Sequence, residues 1–468
     1  MKNFAKLMLA ALCVILIASA LSAVSSAEEL ELTPGSDLAI FIADGGTGTG
    51  YTADSPLAPN ENPEGYDPTA NAPKNHLKTA FYQGIDMLKE AGGGTLVICG
   101  PVYFGADQSY GTGTSQRDVL TPWFSSKTIK ITSVYNGVDY RETNGAKITI
   151  EAPAQLSIQG KSIWENVTIE TASADRSISF NNFETVIGEG VVCVPADDAF
   201  EGVAQQYISL AAGKRYSKTE PTEDVPNPST HLVVKSGTYN KICGSNWGAG
   251  SSEITGVTTN LTIEGETTVL GQLTGTAGSS NPFGGNVNIT INGGTFECDI
   301  DGGGTTAFTN DDAKVVITVN GGNFENVWSI NEMSMNYKGS PAAYSLLDVS
   351  GYQGDEANLA AINIAKSEFT EVKWPEGFDP EAAAPATEPA TEPATDAPEE
   401  TASPETDGSD KAEDTKASET DAPVVVDNKD ESGSNIGLII GIIAGVVVIA
   451  GVVAGVIIAK KKKSAETK

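Results

Sequence analysis

The run Gly48-Thr49-Gly50-Tyr51-Thr52-Ala53, directly after the apolar residues 38–42, fits G-x-G-x-x-A. That spacing lets backbone amides approach a dinucleotide pyrophosphate when a strand precedes it and a helix follows at once. Here the continuation is Asp54-Ser55-Pro56-Leu57-Ala58-Pro59, and its two prolines forbid an immediate helix. The first convincing helical pattern starts only at Asn75, and no Gly-Lys-Ser/Thr follows to build a phosphate loop. A loop without a nucleotide is the expectation.

Carboxylates offer other chemistry. Asp197-Asp198 in "VPADDAF" is the one candidate catalytic pair, since two carboxylates can divide acid and base roles in glycoside hydrolysis. An exposed acidic loop is the competing reading. Asp311-Asp312 reads as a turn before a strand. Asp299-Ile300-Asp301-Gly302 opens like a calcium loop, but no glutamate closes it, and a turn at the corner of a repeat explains it better. No cofactor is therefore predicted, and Ca2+ is left without support. The only histidines are His76, in a helical pattern, and His231, before a strand. Trp247, among glycines and polar residues in "CGSNWGAGSS", is the candidate ligand-binding aromatic, with packing against a neighbouring turn as the alternative.

These residues must be held by something, and the chain ends show where. Residues 1–27 carry Lys2 and Lys6, an apolar stretch from Leu7, and Ser25-Ser26-Ala27 before Glu28. This is the pattern of a secretory signal peptide. A lipid anchor on Cys13 is disfavoured because Leu12 before it is too large. Residues 436–459 carry no charge, enough as a helix to cover a bilayer core of roughly 30 Å. Four lysines, Lys460 to Lys463, follow at once, as on a cytoplasmic face. Gly437, Gly441 and Gly445 share one helical face, where two such helices can approach and form a weak homodimer. Residues 381–435 are Pro/Thr/Ala/Glu/Asp-rich, with 16 acidic residues against three lysines, and predict a disordered, self-repelling stalk. Residues 460–468 form a short basic tail. The expected localisation is a bacterial cell membrane, single-pass, with the N-terminal part outside.

Residues 28–380 remain for the ectodomain, with 44 acidic and 19 basic side chains. That balance excludes nucleic acid and anionic lipid surfaces as good partners. Cys99, Cys193, Cys243 and Cys298 could form two disulfides in three pairings, or serve as small buried hydrophobes.

Repetition organises this region. Asn260-Leu-Thr-Ile-Glu-Gly265, Asn288-Ile-Thr-Ile-Asn-Gly293 and Val316-Ile-Thr-Val-Asn-Gly321 recur every 28 residues, clearest over 230–330. Gly237-Thr-Tyr239, Gly294-Thr-Phe296 and Gly322-Asn-Phe324 repeat alongside. Lys147-Ile-Thr-Ile150 and Asn166-Val-Thr-Ile169 repeat at 19 residues, with Phe183–Ile187 near the next step. Short β-branched strands with one polar turn each suit a solenoid coiling once per repeat. Leu261, Ile289 and Ile317, and likewise Ile263, Ile291 and Val319, are expected to stack as interior ladders. Leu77, Phe81, Ile85 and Leu88 lie on one face of a helix predicted from Asn75, as N-cap, to Glu90. It is placed to cover the open edge of the first turn.

The order "IADGGTGTG…DSPL…LKTAFYQGIDMLKEAGGGTLVICGPVYF", residues 38–104, resembles the N-terminal cap and first rung of the pectate-lyase-like β-helix superfamily. The resemblance implies an all-β, right-handed parallel β-helix and makes a polysaccharide lyase or glycoside hydrolase the alternative function. The motifs that it would carry are missing. Arg117, Arg141, Arg176 and Arg215 are the only arginines, and none lies in a carboxylate-rich motif like those of the lyases. The Asn-Thr-Asp and Gly-His-Gly runs of the polygalacturonases do not occur either. Binding or adhesion to an extracellular polysaccharide or other surface ligand is the leading expectation.

Overall fold

The computed structural model describes residues 30–382, apart from 72, 112–116, 125, 214–228, 246–253, 277–282, 305–307, 309–310, 334–340 and 368. The expected signal at 1–27, all but the first two residues of the expected stalk at 381–435, the expected span 436–459 with Gly437, Gly441 and Gly445, the expected basic tail at 460–468 and Trp247 lie outside the described residues. Among the described residues, no helix is long and apolar enough to cross a membrane.

The first strand, Ala39–Ile42, is built from apolar residues and pairs in parallel with Gly94–Ile98, Ala39 against Thr95. Between them the chain makes a 3-10 turn, Asn75–Lys78, and then the helix Ala80–Glu90, which buries Phe81, Ile85 and Leu88. The predicted start at Asn75 is corrected. Thr79 is the N-cap, its hydroxyl accepting from the Tyr82 amide at 3.0 Å, while no side chain caps the 3-10 turn. A β-conformation at Thr79 breaks the helical run that the apolar spacing suggested. Behind the helix, Gly92, Gly93 and Gly94 all have positive φ, which returns the chain into the second strand.

Parallel pairing then continues from rung to rung. One stack runs through Thr128–Thr132, Lys161–Glu165, Thr185–Ile187, Thr230–Cys243, Ile254–Thr274, Phe283–Ile291, Lys314–Val319, Tyr344–Asp348 and Glu371–Lys373. A second joins Arg117–Leu120, Ala154–Ser157, Ser177–Ser179 and Ser209–Ala211, then the far ends of Thr230–Cys243 and Ile254–Thr274, then Asp299–Gly303 and Ser329–Met333. A third sheet holds Pro101–Phe104, Lys147–Ile150, Thr168–Thr171 and Val192–Pro195. The strand Thr230–Cys243 serves more than one stack because its pairing register shifts between Val234 and Ser236 and between Tyr239 and Lys241. Mostly parallel strands in long sheets are compatible with the expected β-helix solenoid.

Register explains the core. Leu261, Ile289 and Ile317 are aligned partners, as are Ile263, Ile291 and Val319, and all six are buried. With neighbouring strands about 4.8 Å apart, like side chains sit in direct contact. Polar ladders accompany them: the Asn288 amide group donates to Asn260 Oδ1 at 3.0 Å, and Asn320 to Asn292 at 2.9 Å. Tyr239, Val269, Phe296 and Phe324 are all fully buried.

Two repeat assignments change. Ile148 pairs with Ile169, a step of 21 residues rather than 19, because the turn between these rungs takes two residues more than the motif match allowed. Thr185–Ile187 pairs with Lys161–Glu165 in a different sheet; the rung after Thr168–Thr171 is Val192–Pro195. A helix not anticipated from the periodicity, Glu356–Ala365, follows the strand Tyr344–Asp348 and is capped by Asp355. The four described cysteines are buried and none is joined in a disulfide, so none of the three pairings forms.

Candidate functional site

The loop after Asp197 builds one wall of a surface groove. Asp197 is exposed, and its carboxylate caps the short turn Asp198–Phe200 by accepting from the Ala199 amide at 2.9 Å. The next turns are closed by backbone bonds from Val203 to Phe200 at 3.0 Å and from Gln206 to Val203 at 2.9 Å. Tyr207, buried, accepts the Gly202 amide on its hydroxyl at 3.2 Å. Residues 202–205 are thereby held against the rungs.

The opposite wall comes from three successive rungs. Leu270, Glu297 and residues 326–328 line it, and the groove between the walls encloses ≈ 760 Å³. Trp328 dominates this wall, with 61% of its surface exposed. Its backbone is fixed, since the Trp328 amide donates to the Cys298 carbonyl at 3.0 Å. Val203 and Phe200 are also exposed nearby in the sequence of the first wall. A large exposed indole on a fixed backbone is available to stack against a ligand in the groove.

The sequence carried a signal for Trp328. Phe296 and Asp299 align with Val269 and Gln272, so two residues lie between these positions in each rung. In the next rung Asn323 aligns with Thr295, and Ser329 with Asp299, so four residues lie between Phe324 and Ser329. The two added residues push the chain outward just before Ser329, and Trp328 is carried to the surface.

Beyond the groove, a polar network ties the rungs together. Asp299 accepts from the Ser329 hydroxyl at 2.5 Å, and Asp301 from Gln272 Nε2 at 2.7 Å and Asn331 Nδ2 at 3.0 Å. Asp301 is 1% exposed, and burial pushes its carboxyl up to about 6 against the lowering effect of those two amides. Asp299-Ile300-Asp301-Gly302 thus lies in a strand, not at a corner turn. Both Asp301 oxygens are engaged within the protein, which suits a structural role. Among the described residues, no group of three or more histidine, cysteine or acidic side chains is placed to hold a metal ion.

The predicted candidates fare differently. Asp197 and Asp198 are exposed at the start of the loop that forms the first wall, and among the described residues the groove itself is lined by a single carboxylate, Glu297. Asp311-Asp312 forms the expected exposed turn before Lys314–Val319. His76 is buried beside Tyr82 and Tyr110, and burial holds its imidazole near 4, below the ordinary range. His231 lies within the strand Thr230–Cys243 rather than before it. Set against protein-family models, curated proteins and solved structures, the chain matches none of them.

Proposed function

We propose that this chain is a cell-surface binding protein whose Trp328 groove takes a glycan. Sugar rings present apolar C–H faces that pack on an indole, while Gln205, Asn326 and Glu297 offer hydrogen-bond partners at the same groove. The single observation that carries the reading is the exposed Trp328 on its fixed backbone in a formed groove. The finer fold assignment is a right-handed parallel β-helix of the pectate-lyase-like kind, supported by the cap order over 38–104 and by rung-to-rung parallel pairing. In this reading the signal at 1–27 exports the chain, and the stalk at 381–435 extends the ectodomain from a bacterial cell membrane. The span 436–459 holds it there, with the C-terminus cytoplasmic and a weak homodimer through Gly437, Gly441 and Gly445.

The test incubates the full-length chain, purified in detergent, with a panel of neutral and acidic polysaccharides, with and without calcium. Retention without new reducing ends or unsaturated products is expected, and Trp328→Ala should weaken retention roughly tenfold or more, as for a central aromatic anchor. Product formation would replace binding by the polysaccharide lyase or hydrolase reading. Retention untouched by Trp328→Ala would remove the groove from the function.

A further inference from the structure

The glycine loop near the start of the ectodomain builds a second groove, of ≈ 740 Å³, on the first rungs. Its outer wall is the loop itself. The Phe41 amide donates to the Gly50 carbonyl at 2.7 Å and the Leu57 amide to the Phe41 carbonyl at 2.9 Å, while Gly48 bonds Pro56 at 2.7 Å. Gly50 sits at φ +79°, where its missing side chain leaves room for this return. Tyr51 stands on that braced loop with 57% of its surface exposed.

The facing wall is equally braced. The hairpin Val134–Tyr135 with Val138–Asp139 turns through Asn136 and Gly137, both at positive φ. Asp139 caps the short helix Tyr140–Asn144, and Asn144 Nδ2 donates to the Cys99 carbonyl at 2.8 Å. Phe41 forms the floor, edge-on to Tyr135 at 5.4 Å and to Tyr140 at 6.1 Å between ring centroids. Aromatic surface therefore meets the groove from four elements: the first strand, the glycine loop, the hairpin and the short helix.

Its charge is one-signed. Asp37 and Asp54 line the groove, and among the described residues no lysine or arginine does. The nearest cation in the sequence of the wall, Arg141, pairs with Asp139 and donates Nη1 to the Gly190 carbonyl at 2.8 Å. Aromatic faces attract organic ammonium groups, and carboxylates add to that attraction. On this sheet edge the Phe41 amide and carbonyl are already taken by Gly50 and Leu57, which leaves an extended peptide fewer backbone groups to pair with. Asn136, Thr52 and Thr143 offer polar side chains beside the rings.

We infer that this groove, between the Tyr51 loop and the Tyr135 hairpin, binds a glycan carrying free amino groups. It is separate from the Trp328 groove and uses none of its residues.

The experiment titrates the full-length chain in detergent with a glucosamine tetramer, its fully N-acetylated counterpart and a lysine tetramer, by calorimetry. The glucosamine tetramer should bind, with Kd raised about fivefold by Asp54→Asn, by Tyr51→Ala and by about 0.5 M salt. Trp328→Ala should leave that Kd unchanged, even if it abolishes retention of neutral glycans. Equal binding of the N-acetylated tetramer, or no binding of the amine form at millimolar concentration, would overturn the inference. A lysine tetramer that binds more tightly than the glucosamine tetramer would overturn it in favour of a basic peptide. Loss of amine binding in Trp328→Ala would show that the two grooves are not separate sites.

Discussion

Phe296 and Phe324 stack one rung apart, with ring centroids 5.0 Å apart and 19° between their planes. Both side chains are fully buried, and Tyr352 meets Phe324 edge-on at 6.3 Å while its hydroxyl donates to the Gly322 carbonyl at 2.8 Å. Parallel, in-register rungs bring identical positions together, so one aromatic in a 28-residue repeat becomes a continuous column.

Removing a member of that column leaves a hole that neighbouring rungs cannot close, because their spacing is set by backbone hydrogen bonds. Phe324→Ala should lower stability by about 3–5 kcal/mol. Chemical denaturation checks this, and a loss below about 1 kcal/mol would show that the column collapses around the gap.

Asp301 gives the folded region a titration opposite to that of an ordinary ion-paired carboxylate. Its ordinary value is 3.8, and burial raises it to about 6 in the folded chain. The folded state therefore keeps the proton to higher pH than the unfolded state does. Stability linked to the protonated form is complete below 3.8 and is lost as pH rises through about 6. Asp301→Asn cannot release that proton, so the stability of wild type relative to the variant should fall, by an amount on the order of 2 kcal/mol, between pH 4 and 6. Denaturation curves at several pH values measure it. A difference that stays flat with pH would contradict the role given to this carboxyl.

Thr79 starts the helix that covers the first rung. Thr79→Ala removes the bond to the Tyr82 amide and should cost about 1 kcal/mol, whereas Asn75→Ala, at the position favoured by the apolar spacing, should cost little. Paired thermal melts distinguish the two. A larger effect at Asn75 would restore the helix start there.

The cysteines are expected to be inert. Burial pushes the Cys99 thiol up to about 11 and the Cys193 thiol up to about 12, and it raises Cys298 further. Thiols held protonated and out of solvent are poor nucleophiles. A maleimide should label Cys99, Cys193, Cys243 and Cys298 only after denaturation, and a reducing agent should leave the unfolding midpoint in place. Recovery of a disulfide-linked peptide by mass spectrometry would contradict the free state.

Much of the fold was legible because its repeats are nearly identical where the chain is most regular. Leu261, Ile289 and Ile317 share a position in the motif, and parallel pairing with no slip converts that shared position into contact. Where rungs differ in length, the motif misled. The match of Ile150 to Ile169 was two residues out, since turn length, not strand sequence, sets the offset between Ile148 and Ile169. Thr79 displaced Asn75 as the cap because both residue types can cap and the backbone at Thr79 alone is extended before the helix.

By itself the sequence determined the rung chemistry: alternating apolar residues for the ladders, asparagines for the polar columns and glycines where the backbone needs positive φ. It also excluded the nucleotide reading of residues 48–53, through the prolines that follow. Only the tertiary structure decided which surface residues meet. Val203, Leu270, Glu297 and Trp328 lie far apart along the chain, and Tyr51 faces a hairpin more than 80 residues further on. Ladders follow from local register, but a groove depends on how loops of unequal length fold back over rungs already stacked. Its residues therefore share no spacing that a linear reading can detect.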